Sequence, residues 1–159
     1  MNQTFDLRAF VEAAADAIIA AGADGKILYW NDAATRIFGF TAAQALGQSL
    51  DLIIPERFRS RHWNGYREVM ATGKTKYRSD VLRVPAQHRD GRALSIAFTV
   101  SLLEPEDGER VIAAIVRDET ARWNEERELR RRLEDVEQSQ KSRPRWFAVP
   151  PTSRFNARQ

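Results

Sequence analysis

Of the two histidines in this chain, His62 is the one whose surroundings suit a chemical role. The stretch PERFRSRHWNGYREVMATG reads as a helix. At about 100° per residue, His62 falls in the same apolar stripe as Phe58, Tyr66 and Val69, while Arg59, Arg61, Arg67 and Glu68 fall elsewhere. An imidazole on such a face is either a hydrogen-bonded core side chain or a ligand donor, because its neutral form carries a free lone pair. Gly65, near the same stripe, would let a bulky planar group approach the helix backbone. His88 stands beside the turn Arg89-Asp90-Gly91, with no serine or further carboxylate to complete a catalytic set.

Other chemistries are limited by what the sequence lacks. With no cysteines there are no disulfides, thiolate metal sites, covalent c-type haem attachment, thiol nucleophiles or cysteine-adduct flavin photochemistry. Gly22, Gly25, Gly39 and Gly47 are scattered turn and cap positions, not a phosphate-binding loop. A phosphoacceptor histidine would need its own helical hairpin and a nucleotide-binding partner domain, so the chain is not expected to be an enzyme. The net charge of +3 is carried by the end of the chain: Lys141, Arg143, Arg145, Arg154 and Arg158 stand there without an acid. The folded remainder is slightly acidic, which argues against a nucleic-acid surface. No apolar run reaches the roughly 18 residues that span a bilayer, and the first residues lack a basic lead into an apolar stretch. A cytoplasmic protein without a membrane partner is expected.

The elements that must position His62 follow from local signals. Residues 4–14 suggest a modest amphipathic helix. Asp16–Gly22 and Ile27–Trp30 read as strands around an Asp24-Gly25 hairpin turn. Asn31 caps a helix through Asp32–Phe38 that stops at Gly39. Thr41 and Gln44 have capping-box spacing for a short helix, and Pro55 precedes a longer one over Glu56–Thr72, ended by Gly73. Tyr77–Val84 reads as a strand. Leu94–Leu102 alternates without a break, Leu94, Ile96, Phe98, Val100 and Leu102 against Ser95, Ala97, Thr99 and Ser101. After a Glu106-Asp107-Gly108-Glu109 turn, Val111–Val116 is a final apolar strand.

This order predicts an α+β fold in which a five-stranded antiparallel sheet carries helices on one face. Ile18, Leu28, Ile37, Phe58, Leu94, Ile96, Phe98 and Val100 should lie in its core. The expected organisation is an N-terminal flanking helix over 1–14, a domain over 15–119, a C-terminal helix over 120–140 and a disordered basic tail over 141–159. Leu129, Leu133 and Val136 give the C-terminal helix a short coiled-coil seam, pointing to a homodimer.

The stretches DAIIAAGADGKILYWNDAATRIFGF, TAAQALGQSL, the HRDG turn and IVRDET, in this order, resemble the PAS family of sensory modules over about residues 7–120. The resemblance implies a ligand cavity between sheet and helices, dimerisation through flanking helices, and a junction at Asp118 and Thr120 where the core hands over to an output helix. On residues alone, Asp118 and Thr120 equally suit a helix cap.

The segment around His62 also resembles the haem-binding subgroup of PAS domains, found in oxygen-sensing histidine kinases and cyclic-dinucleotide phosphodiesterases. That resemblance implies haem b held through its iron by His62, in a pocket lined by Phe58, Tyr66, Phe98 and Val100, and a histidine kinase, cyclic-dinucleotide enzyme or other signalling partner. Two positions depart from the subgroup. The arginine that hydrogen-bonds oxygen corresponds to Leu82, with Arg83 adjacent should the alignment slip by one. The methionine that serves as sixth ligand in the phosphodiesterase type corresponds to Asp80. A cofactor-free module for dimerisation or partner docking is the alternative reading.

Overall fold

The computed structural model describes residues 5–75, 80–105 and 108–142. Its elements run α1 (Leu7–Glu12), β1 (Ala17–Ala21), β2 (Ile27–Trp30), α2 (Asp32–Phe38), α3 (Ala42–Ala45), a 3-10 turn (Leu50–Leu52), α4 (Glu56–Thr72), β3 (Leu82–Gln87), β4 (Ala93–Leu103), β5 (Val111–Asp118) and α5 (Thr120–Lys141). The five strands form one antiparallel sheet in the order β2-β1-β5-β4-β3, so the N-terminal hairpin pairs with the last strand.

Paired residues across a sheet share a face, and neighbours along a strand do not. Ala17, Ile19, Ile27, Trp30, Ala86, Leu94, Ile96 and Val116 meet the short helices through Ala34, Phe38, Ala45 and Ile53 to form the core. Phe38 is the largest side chain completely enclosed there. The Trp30 indole N–H donates to Thr35 Oγ1 and the Phe40 carbonyl, both at 3.1 Å, which removes the polar cost of burying it.

Local capping fixes the helix limits. The Thr41 and Gln44 side chains form the reciprocal capping box the spacing predicts. Gly39 and Gly73 end α2 and α4 in the left-handed conformation, at φ 82° and 67°. At Gly39 a second constraint applies: a Cβ there would stand 2.5 Å from the His88 ring. The HRDG turn therefore packs on the end of α2, and the Arg89 N–H donates to the Phe38 carbonyl at 2.9 Å.

Asn31 does more than cap α2. It is 1% exposed, and its Oδ1 accepts from the N–H groups of both Ile18 (2.9 Å) and Ala34 (3.0 Å). Its Nδ2 donates to the carbonyls of Val11 (3.0 Å) and Asp16 (3.2 Å). One side chain thus ties α1, the entry to β1 and the first turn of α2 together.

Several expectations need correction. Leu28 is 55% exposed, because Ile27 takes the core-facing position opposite Ala21 and its neighbour points to the other face. Ile18 lies half-buried on that same outer face, opposite Ile115. Ile37, Phe58, Phe98 and Val100 are half-buried rather than enclosed, whereas Leu94 and Ile96 are fully in the core. The third strand, expected over Tyr77–Val84, is seen over Leu82–Gln87, with residues 80 and 81 outside it; Pro85 is tolerated because β3 is an edge strand. Among the described residues the N-terminal helix runs over Leu7–Glu12, and residues 1–4 of the expected flanking segment lie outside them. Residues 76–79, the 106–107 part of the expected turn and the tail from 143 lie outside the described residues.

The described chain divides after Ala121 into two units. In the second, α5 continues to Lys141, with Leu129, Leu133 and Val136 each more than half exposed. Among the described residues no helix is long and apolar enough to cross a membrane.

Replacing Asn31 by Ala should lower the unfolding free energy by about 3–5 kcal/mol, since four buried or half-buried partners lose their hydrogen bonds together. Asn31→Asp retains both accepted bonds and forfeits both donated ones, so its loss should be smaller. Urea titration of the three proteins checks the ranking.

Candidate functional site

α4 buries only one of its 17 residues, Tyr66. Polar anchors hold the helix instead. At its start the Arg59 guanidinium donates to the carbonyls of Ile54 (3.0 Å) and Asp51 (3.1 Å). In its middle the Trp63 indole N–H donates to Asp51 Oδ1 at 2.8 Å, and the Tyr66 hydroxyl donates to the Gly22 carbonyl at 2.6 Å. At its end Arg110 donates to the carbonyls of Met70 (2.6 Å) and Ala71 (3.3 Å), where a cation also complements the helix dipole. The Trp63 ring lies against Gly25, where a Cβ would stand 2.3 Å from it. α4 is thereby fixed to the β1–β2 turn, the 3-10 turn and the approach to β5.

His62 sits inside this anchored stretch. Its ring centroid is 4.8 Å from that of Trp63 and 5.7 Å from that of Tyr66. Its Nδ1 is buried and has no hydrogen-bond partner among the described residues. Either tautomer leaves something unpaired there, a lone pair or an N–H, at a cost of about 1–3 kcal/mol. Burial holds the imidazole below the usual histidine range, against a weaker upward pull from Asp51. The ring is therefore neutral at physiological pH, the form that can coordinate a metal. Tyr66 is pushed up to about 12, mainly by burial, so its hydroxyl stays a donor.

The five expected lining residues are not gathered into one ring. Phe58 and Tyr66 flank His62 one turn away on either side, and Arg57 lies over the Phe58 ring at 4.6 Å. Phe98, on β4, packs against the core cluster. Val100 lines an open cleft of about 210 Å³ with Gly73, Thr75, Ser101, Leu102 and Glu104. Gly73 is some 16 Å along α4 from His62, at about 1.5 Å per residue. Gly65 is exposed, with open space where a side chain would stand.

β3 resolves the two alignments. Leu82 pairs with Phe98 and so shares its core-directed face. Arg83 projects from the opposite face and forms an ion pair with Glu119 at 3.0 Å. Arg83 thus does not share the core-directed face on which Leu82 and Phe98 stand. Asp80 is exposed and precedes the strand.

At the other end of the domain, Asp118 accepts from the Thr120 N–H (2.9 Å) and hydroxyl (2.5 Å), and Thr120 Oγ1 accepts from the Ser95 N–H at 3.0 Å. The Glu119 N–H donates to the Ser95 carbonyl at 2.8 Å. The end of β5 and the start of α5 are thus stitched to β4. Sequence reading reached Asp118 and Thr120, but not Trp63 or Arg110, nor the pairing of Arg83 with Glu119, because these partners are distant in the chain and leave no local pattern.

A five-stranded antiparallel sheet in the order 2-1-5-4-3, short helices on one face and a helix following the last strand define an α+β domain. A family model described as the PAS fold matches residues 6–119, and the chain belongs to this family. It is 33% identical over 125 residues to an uncharacterized protein of Azorhizobium caulinodans, covering 78% of this chain and 17% of that one. It is 28% identical over 132 residues to sensor protein FixL of Bradyrhizobium diazoefficiens (82% and 25%) and 23% identical over 105 residues to oxygen sensor protein DosP of Escherichia coli (66% and 13%). The chain thus spans a quarter or less of these relatives' lengths. The PAS domain of a Colwellia psychrerythraea protein has the same fold, with a TM-score of 0.60 at 19% identity, over 70% of this chain and 92% of that one.

The depressed basicity of His62 has a pH consequence. The unfolded chain binds a proton near pH 6.5 that the folded chain resists, so stability should fall as pH drops below that value, until the folded form also protonates. His62→Gln should flatten this acid-side slope. Urea midpoints between pH 5 and 8 measure it, and identical slopes would contradict the burial of the ring.

Proposed function

We propose that this PAS domain is a sensory module whose ligand is haem b, held through the His62 imidazole, and whose bound state is relayed to α5. The observation that carries the proposal is the half-buried, neutral imidazole with an unpaired Nδ1, a cost that a coordinating or hydrogen-bonding group at that nitrogen would relieve. Phe58 and Tyr66 would flank the group from α4, whereas Phe98 and Val100, which the resemblance adds from β4, stand apart from His62 in this structure. Haem, when bound, supplies an iron that takes diatomic gases. The name of the relative DosP, an oxygen sensor, agrees with this direction.

The chain's own residues set the selectivity. Leu82, on the core-directed face beside Phe98, offers no charge to a gas. Arg83 is committed elsewhere. Oxygen, which gains from a charge-assisted hydrogen bond, should bind weakly, and carbon monoxide should bind comparatively well. Purified protein reconstituted with haemin should show a sharp Soret band that His62→Ala abolishes. Leu82→Arg should raise oxygen affinity about tenfold, the scale of one charged hydrogen bond, while Arg83→Ala leaves it unchanged. Equal, broad absorbance in wild type and His62→Ala would refute the axial role.

A second reading is a cofactor-free module that dimerises or docks a partner such as a histidine kinase or a cyclic-dinucleotide enzyme. The exposed Leu129, Leu133 and Val136 favour the dimer, at four- and three-residue spacing along α5. Sedimentation at tens of micromolar should show a dimer that the double substitution Leu129→Glu, Leu133→Glu shifts to monomer. A monomer in both proteins would remove this role from α5.

A further inference from the structure

Four charged side chains form a row across the outer face of the sheet, at the end where α5 begins. Arg83 on β3 pairs in register with Ala97 on β4, and Ala97 with Arg117 on β5, so the two arginines flank a small residue that is itself only 6% exposed. Arg117 holds Asp16, just before β1, through two hydrogen bonds of 3.0 and 2.7 Å. Arg83 holds Glu119 at 3.0 Å, and Glu119 also attracts Arg117. The Glu119 side chain is only 16% exposed, although Arg83 is 59% exposed. Glu119 is the residue between Asp118 and Thr120, and its backbone N–H is bonded to Ser95 on β4.

Leu82 and Arg83 therefore place consecutive side chains of one edge strand on opposite faces, the first on the core-directed face, the second beside Glu119 at the root of α5. We propose that Arg83 is a positioning residue that couples the core-directed face of β3 to the start of α5 through Glu119. It rests on the relay reading above, but not on the identity of the ligand. Edge strand β3 is paired only with β4, so a change at Leu82 meets little resistance from the far side of the strand. Arg83 then carries the displacement to the residue that precedes Thr120, without passing through the hydrogen bonds of β4.

Amide exchange and chemical shifts of the full chain in solution test this without any ligand. Arg83→Ala should speed exchange at the Ser95, Glu119 and Thr120 amides roughly two- to fivefold, the scale of one exposed ion pair, and leave the Ile27 amide unchanged. The charge exchange Arg83→Glu with Glu119→Arg should return the rates toward wild type, and 1 M salt should shrink the difference. Leu82→Val should shift the Glu119 and Thr120 amide resonances in the wild-type background, and much less in the Arg83→Ala background. Shifts of equal size in both backgrounds, or none in either, would overturn the coupling. A failure of haemin to bind bears only on the cofactor and leaves these measurements to decide the role of Arg83.

Discussion

The four hydrogen bonds of Asn31 are the constraint from which the rest of the domain is built. Where β2 ends and α2 begins, backbone N–H and C=O groups from three segments converge, buried or half-buried, and need polar partners. An amide side chain is suited to the task, because it presents acceptor and donor ends to both kinds of orphan. By closing on Ile18, Ala34, Val11 and Asp16 together, it sets where β1 enters the sheet and where α2 starts. With β1 fixed, its pairing to both β2 and β5 sets which residues of the sheet face the helices.

That register separates two surfaces with different roles. The core-directed face is sealed by short helices whose ends are capped locally, so α2 and α3 have little freedom. α4 is different. A 17-residue helix with a single buried side chain is held by a few hydrogen bonds at its start, middle and end. Elements with few buried apolar contacts belong to the low-stability end of a fold, where binding and conformational change are drawn from. The His62 imidazole lies on this loosely packed element.

The sequence foretold what local rules govern. Alternation located β4 to within a residue, the Asp24-Gly25 pair located the first hairpin, and caps located α2, α3 and both ends of α4. The limits appear where two apolar residues adjoin. In Ile18-Ile19 and Ile27-Leu28 the pattern does not say which member faces the core; pairing across the sheet decides, and it turned Leu28 outward. Asn31 read as a cap because capping is its local half, while its bonds to Val11 and Asp16 span 20 and 15 residues. The site was legible to the same degree. His62, Phe58 and Tyr66 share a helix face and could be grouped by periodicity, whereas the separate positions of Phe98 and Val100 depend on how β4 meets the helices.

A sensory domain also has a quantitative requirement. A ligand shifts an equilibrium only by the difference in its affinity for the two states, and couplings between sites are typically about 1–3 kcal/mol. A rigid, deeply buried linkage would cost more than this to rearrange, so the signal has to travel through interactions of comparable size. The hydrogen bonds among Asp118, Thr120 and Ser95 and the half-exposed ion pair of Arg83 are of that order. The Asn31 cluster and the Phe38 core are well above it, and their stability keeps the sheet in one register. In such a partition the strong interactions define the frame, and the weak ones, at α4, the β3 edge and the root of α5, are the ones of a size that a coupling between sites can shift.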